Sequence, residues 1–328
     1  MRRIRRGRHV DPRAPRGYYI DYSELADPRG PLDAEGLPRL PSAVDGLAHS
    51  ALDLARFALG NLEIYLDNGS LERRERFRLA VERLVAAMER VPASFGGWAL
   101  PPGPRAYRSQ LPTARFAAGT QGECLSALVR AWTLLNLEEA GEAAAAAFAA
   151  FTAPVDDGGL MREVGDASGD AGTESPIFLE EYPIAERVVM DLSGHCRGAL
   201  GIYDYWKASG DVLAGPHLRR SIAGLEFVLD MYDLGYWTRD DLDARRRGGS
   251  VSSIASLREH VLHLSSLSEL AGSVPLGEAA RGWAGYLSRP WFCLRAMRAR
   301  VVAGLAGRAL PGPPVAPAIG EARSVPTE

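Results

Sequence analysis

Cysteine is scarce: the 328 residues hold three, Cys124, Cys196 and Cys293, far apart and odd in number. No Cys-x-x-Cys pair occurs, which argues against a disulfide framework or a thiolate zinc site and makes a reducing compartment the default. Long apolar runs are missing as well. No stretch approaches the roughly 18 uninterrupted apolar residues of a membrane span. The basic opening, Met1-Arg2-Arg3-Ile4-Arg5-Arg6-Gly7-Arg8-His9, has no apolar core of the kind a secretory signal needs. Neither sign of charge dominates: 38 Lys and Arg stand against 41 Asp and Glu, a formal net charge of −3. Such a balance gives no global bias toward nucleic acid or a membrane surface. A cytoplasmic protein is the expectation these absences leave. Hydrophobic residues make up 46% and charged residues 24%, the composition of an ordinary globular chain long enough for a sizeable core.

What is present is helical periodicity. Leu52, Ala55, Leu59, Leu62 and Leu66 recur at helical spacing until Asp67-Asn68-Gly69-Ser70 breaks the pattern. Phe77, Val81, Leu84 and Met88 then form a return stripe. A second pair starts with Leu125, Leu128, Trp132 and Leu135 and returns through an alanine-rich run to Phe148. Val189, Leu192, Cys196, Ala199 and Tyr203 begin a third, broken near Ser209-Gly210 and returned by Leu218, Ile222, Leu225 and Leu229. Ile254, Leu257, Val261 and Leu264 begin a fourth, returned through Trp283 and Leu287.

The plan repeats every roughly 60 to 75 residues, a spacing suited to a ring of helix pairs. Three return helices are followed by similar turns, Gly96-Gly97-Trp98, Gly158-Gly159-Leu160 and Gly235-Tyr236-Trp237, where glycine allows a sharp exit and the apolar residue packs on the helix end. The expected fold is all-α, an incomplete (α/α) toroid of about four helical hairpins with short irregular or β-hairpin loops. It should occupy residues 18–308, between a disordered basic N-terminus, 1–17, and a disordered Pro-rich tail, 309–328. The segment from Tyr18 to about Pro41 lacks helical periodicity and is expected to wrap the outside of the ring, with Tyr18–Tyr22 extended.

Four clusters could carry chemistry. Glu180-Glu181-Tyr182-Pro183 joins an acidic loop, with Asp166, Asp170 and Glu174, to an apolar helix. Acids at such a junction suit proton transfer on a charged substrate, although a solvated acidic loop ending in a helix-starting proline has the same pattern. Arg258, Glu259, His260 and His263 fall on a helical pattern that puts Glu259 and His263 on one face. A polar inner face of the ring explains them better than a metal, since no third ligand is apparent. Tyr236-Trp237-Thr238-Arg239-Asp240-Asp241 could form a sugar platform, or Trp237 could plug a helix end. Thr120-Gln121-Gly122-Glu123 opens the second hairpin, and Gln121 could orient a ligand there or serve as cap chemistry.

Taken in order, these pieces resemble the C-terminal helical domain of the D-glucuronyl C5-epimerases, over roughly residues 18–292. The resemblance is carried by Phe57-Ala58-Leu59-Gly60-Asn61, Gly96-Gly97-Trp98, Gln121-Gly122-Glu123 with Leu128-Val129-Arg130-Ala131-Trp132, Glu180-Glu181-Tyr182-Pro183 and Gly201-Ile202-Tyr203-Asp204. His260-x-x-His263 and Trp283-Ala284-Gly285-Tyr286-Leu287 complete it. It implies inversion at C5 of a uronate within a polysaccharide, with no cofactor and no metal, and a uronic-acid polysaccharide or oligosaccharide as partner. Nucleic acid is not expected, and a homodimer is allowed. Carried over, Glu181 and Tyr182 are retained as catalytic residues. Asp240 and Glu259, which complete the expected catalytic set, stand where the family has tyrosines, and Asp243 where it has an arginine. Gln121, Trp237, Arg258, His260 and His263 are the implied substrate contacts. The family's β-rich domain that precedes the helices has no counterpart in this sequence.

Overall fold

The computed structural model describes residues 4–42, 46–91, 95–99, 116–165, 174–243 and 250–306. Four helical hairpins form where periodicity predicts them: α1 (Ala51–Asn68) with α2 (Leu71–Ala86), α3 (Ala118–Leu135) with α4 (Glu138–Thr152), α5 (Leu192–Ser209) with α6 (Ala214–Val228), and α7 (Ile254–Ala271) with α8 (Val274–Leu287). Local chemistry sets their ends. Ser50, Ser70, Asp191, Ser253 and Ser273 cap N-termini through side-chain oxygens, which accept otherwise orphaned backbone N–H groups. Gly69, Gly210 and Gly272 close helices in the left-handed conformation that favours glycine. Helices α1, α3, α5 and α7 pack against one another in chain order, and each carries its return helix as its own outer partner. The result is an incomplete α/α toroid.

Among the described residues, three antiparallel β-hairpins decorate the turns: β1 (Leu40–Ser42) with β2 (Gly46–Ala48), β3 (Glu89–Val91) with β4 (Phe95–Gly97), and β5 (Met161–Glu163) with β6 (Ile177–Leu179). Gly158 and Gly235 make the expected positive-φ exits. Gly96 and Gly97 do not; they lie in β4, where a Cβ on Gly97 would stand 2.6 Å from the Gln121 carboxamide and 2.8 Å from the Phe116 ring. A further helix, α9 (Pro290–Ala306), was not expected. Its apolar residues face both ways, with Ala296 buried and Trp291, Leu294 and Val301 exposed, so no single stripe announces it.

The N-terminal segment differs most from expectation. Residues 4–22 neither float free nor wrap the outside; they form a strap across one end of the four inner helices. Arg8 N donates to Glu63 on α1 and Arg130 of α3 donates to Gly17 O. Tyr19 Oη donates to Asp204 of α5, and Arg6 pairs with Glu269 of α7. The cause is apolar area and buried charge: Tyr18, Tyr19, Ile20 and Tyr22 are all at most 5% exposed, and burying aromatic rings outweighs the entropy of ordering the strap. Each of the helix partners named, Glu63, Arg130, Asp204 and Glu269, lies in the C-terminal half of its helix. The strap therefore closes that end, leaving the N-terminal ends of α3, α5 and α7 to face the loops. The tail from 307 onward lies outside the described residues.

Close approach of α3 and α5 depends on glycine. A Cβ on Gly122 would come 2.1 Å from Arg197 O, and one on Gly201 would come 2.6 Å from Gly122 Cα. Gly122→Ala is expected to destabilise the fold by about 1–3 kcal/mol through overpacking, partly offset by the roughly 1 kcal/mol that alanine gains over glycine in a helix. Urea unfolding would show it as a lower midpoint with an unchanged slope.

Candidate active site

The two adjacent glutamates have different jobs. Glu180 is fully buried and wholly engaged: its Oε1 accepts from Arg162 Nε at 2.8 Å and its Oε2 from Met190 N at 3.1 Å. It ties the β5–β6 hairpin to the start of α5. Glu181 turns instead toward the ring interior, where Oε2 accepts from Gly119 N at 2.6 Å, at the free N-terminus of α3. Its other oxygen stands 3.7 Å from Arg197 Nη2. Small residues cradle it, since a Cβ on Gly194 would come 2.5 Å from Glu181 Cβ and one on Gly119 2.8 Å from its Oε2. Burial raises the Glu181 pKa above the ordinary glutamate range, with Arg197 and the Gly119 N–H opposing. The Tyr182 phenol, partly buried against Ile184 and Val189, is raised by burial and by the nearby Asp191 and Glu181 charges.

Behind Glu181 lies a buried ion network that sequence reading missed. Glu123 is fully buried and accepts from Arg56 Nε at 2.6 Å, from Arg56 Nη2 at 2.9 Å and from Tyr22 Oη at 2.9 Å. Burial alone would raise Glu123; the Arg56 fork outweighs it and holds the carboxyl below its usual value. Arg197 Nε is 3.8 Å from Glu123 Oε1, outside hydrogen-bond range. Lone charges inside otherwise apolar helical stretches, Arg56 between Ala55 and Phe57 and Arg197 between Cys196 and Gly198, were the available signal.

The third wall comes from α7 and the turn after α6. Asp240 sits 3.9 Å from His260 Nε2 and 3.9 Å from Arg300 Nη1, and its pKa is pushed up to about 7 by burial, against the Arg300 charge and with help from Asp241 and Glu259. Asp191, capping α5, feels both the Glu181 and Asp240 charges; burial and these charges raise it well above the aspartate range. His260 takes Thr238 Oγ1 at 3.1 Å on Nδ1, and burial lowers its pKa to about 3. His263 is lowered further by burial and by the Arg197 charge. Glu259 is half-buried on the same helix, and its charge acts on Arg56, Arg197 and Asp240.

Glu181, Tyr182, Asp240, Glu259, His260 and His263 thus gather at one interior site. Other expected contacts do not. Trp237 is fully buried with Nε1 donating to Ser252 O at 2.8 Å, so it plugs the ring and offers no face to a sugar. The Gln121 carboxamide is consumed by the β4 turn, donating to Gly96 O at 2.9 Å and accepting from Trp98 N at 3.2 Å. Arg258 is half-buried and pairs with nothing among the described residues. Asp243 is locked to Arg187 in a buried ion pair. Asp166 and Asp170 lie outside the described residues, and Glu174 pairs with Arg220 on α6. Among the described residues, no three His, Cys, Asp or Glu side chains are arranged to hold a metal ion.

An open ring of helical hairpins defines a class, the α/α-toroid proteins, here with acids and guanidinium groups clustered at the loop end. The family described as D-glucuronyl C5-epimerase C-terminus matches residues 104–276, more than half of the chain, and the chain belongs to that family. Among solved structures it is similar to cellobiose 2-epimerase from Bacillus thermoamylovorans, at 10% identity and TM-score 0.49, covering 73% of this chain and 59% of that one. It is also similar to the endo-β-1,4-glucanase CMCax from Acetobacter xylinum, at 13% identity and TM-score 0.48, covering 79% of this chain and 74% of that one. This chain therefore spans less than two thirds of the cellobiose epimerase. No curated protein matches it by sequence.

Proposed function

We propose that the chain inverts C5 of hexuronate residues in a polysaccharide by removing the C5 proton and returning one to the opposite face. The observation that carries this reading is the Glu181 carboxylate, withdrawn from water, cradled by glycines, and held by one backbone N–H with a guanidinium 3.7 Å away. The C5 proton of a uronate is weakly acidic because its loss makes an enolate-like dianion across C5 and C6. A base with raised basicity and donors around the carboxylate are what the step needs.

In this mechanism Glu181 takes the proton and C5 becomes planar. The protonated Tyr182 phenol donates to the oxygen that gains charge. Asp240 returns a proton from the other side. Its pKa of about 7 supports this role, for burial gives this carboxyl a proton to donate at neutral pH where the family uses a phenol. With iduronate as substrate the two acids exchange roles.

The test is proton NMR with glucuronate polysaccharides in deuterated water. Wild-type protein is expected to exchange the C5 proton and to accumulate the C5 epimer. Inversion should decline above about pH 7 as Asp240 loses its proton. Asp240→Asn should retain exchange at C5 while losing inversion, because the base remains and the second proton donor is gone. Absence of exchange on any uronan would sink the proposal, and an unsaturated uronate product would redirect it to elimination from the same enolate.

A further inference from the structure

Buried polar atoms in folded proteins almost always have hydrogen-bond partners. Here five that do not belong to one interior region: Arg197 Nε, His260 Nε2, Asp240 Oδ1, and both ring nitrogens of His263. His260 and His263 are each 1% exposed. They come from α5, from α7 and from the turn after α6, and the Arg197 charge acts on both imidazoles. Each such group carries a desolvation cost that a polar ligand in this region would remove.

We infer, on the uronate reading above, that these atoms are the recognition pocket for one hexuronate ring, with Arg197 holding the carboxylate and His260, His263 and Asp240 holding ring hydroxyls. Of the two arginines beside Glu123, Arg56 is committed to it through two short hydrogen bonds. Arg197 lies 3.7 and 3.8 Å from its acidic neighbours, near enough to be held in place and too far to be satisfied. Its fork fits an incoming carboxylate. The imidazoles are neutral at physiological pH: His263 presents one donor and one acceptor, and His260, whose Nδ1 is taken by Thr238, presents Nε2 alone, a set that matches hydroxyls better than a second anion. His260 Nε2 and Asp240 Oδ1 are 3.9 Å apart, a gap one hydroxyl oxygen can bridge by accepting from the imidazole and donating to Oδ1, which accepts even when the other carboxyl oxygen carries the proton. Glu181, Asp191 and Glu259 around the pocket disfavour a multiply charged group such as phosphate. A neutral sugar would leave Arg197 Nε unpaired.

The position of Arg197 also explains catalytic competence. Held by Arg197, the C6 carboxylate lies beside the Glu181 carboxylate that the same guanidinium contacts. The charge that develops on proton loss is then met by a cation already in place.

The experiment is calorimetric titration of the full chain with a glucuronate–N-acetylglucosamine hexasaccharide and with its carboxyl-reduced counterpart. Wild type and Glu181→Gln should both bind the acidic sugar, and the reduced sugar should bind roughly tenfold to a hundredfold more weakly. Arg197→Lys, checked for folding by circular dichroism, should narrow that preference, because an ammonium keeps the charge but loses the two-pronged fit; His263→Leu should weaken both sugars. Equal binding of the two sugars by wild type would overturn the pocket without any variant. So would an undiminished preference in folded Arg197→Lys. Binding of neither at millimolar concentration would mean that the region holds water only. Carboxylate-selective binding without C5 exchange would sink epimerisation alone, whereas exchange unaffected by Arg197→Lys would sink the pocket alone.

Discussion

Glu181→Gln is expected to lower C5 proton exchange from glucuronate by roughly 10²- to 10⁴-fold, the usual worth of a positioned general base. Glutamine preserves the shape of the side chain and its acceptor toward Gly119 N, so the cradle of Gly119 and Gly194 is not disturbed. Only the basic oxygen is removed. Stability should not fall with activity. The folded pKa of Glu181 lies above its unfolded value, so the group favours folding below the unfolded pKa and that contribution is lost as pH rises through the folded pKa. Above its folded pKa the buried carboxylate is a cost that glutamine does not carry, offset by whatever attraction to Arg197 is lost. A melting temperature equal to or above wild type, with exchange gone, is the signature of a residue kept for chemistry. Loss of exchange together with collapse of the fold would instead make Glu181 a structural acid like Glu180. Unchanged exchange would remove it from the mechanism altogether.

The contrast between those neighbours shows where sequence reading stops. Both are glutamates in one tetrapeptide, and nothing local says that Arg162, 18 residues earlier, will claim the first. The hairpins were legible because each buries one face, giving Ala55, Leu59 and Leu62 on α1 and Leu257 and Leu264 on α7 a helical spacing that survives in any context. The acid wall was legible because Glu180-Glu181 and Asp240-Asp241 interrupt apolar patterning at helix junctions. Arg56, Glu123 and Arg197 were not. Each is a single charge on a helix that reads equally well as a solvated position, and only the ring's closure brings them together from three helices. Gln121 and Trp237 failed for the opposite reason. Their chemistry suits a ligand, yet backbone groups at the turns consume it first.

The largest effect on stability is expected from Asp204→Asn, far from the acids. Asp204 and Arg130 are both fully buried; Arg130 donates Nη1 to Oδ2 at 2.5 Å and Nη2 to Oδ1 at 3.2 Å. Tyr19 Oη donates to the same carboxylate at 2.6 Å, while Arg130 reaches Gly17 O at 2.9 Å and stands over the Tyr18 and Tyr19 rings. Removing the anion leaves a guanidinium in the core with its charge uncompensated, at a cost of about 3–5 kcal/mol. A double replacement, Arg130→Met with Asp204→Leu, should recover much of that loss because no orphaned charge remains. Hydrogen exchange should then separate two roles of the pair. In Asp204→Asn the amides of residues 5–21 should lose protection before those of α3 and α5, since the pair pins the strap. The strap also brings Tyr22 to Glu123, whose carboxylate anchors Arg56 and faces Arg197. Loosening it should therefore weaken binding of the acidic hexasaccharide more than the carboxyl-reduced one. Weakening both equally would separate the strap from the site and leave it a purely structural closure.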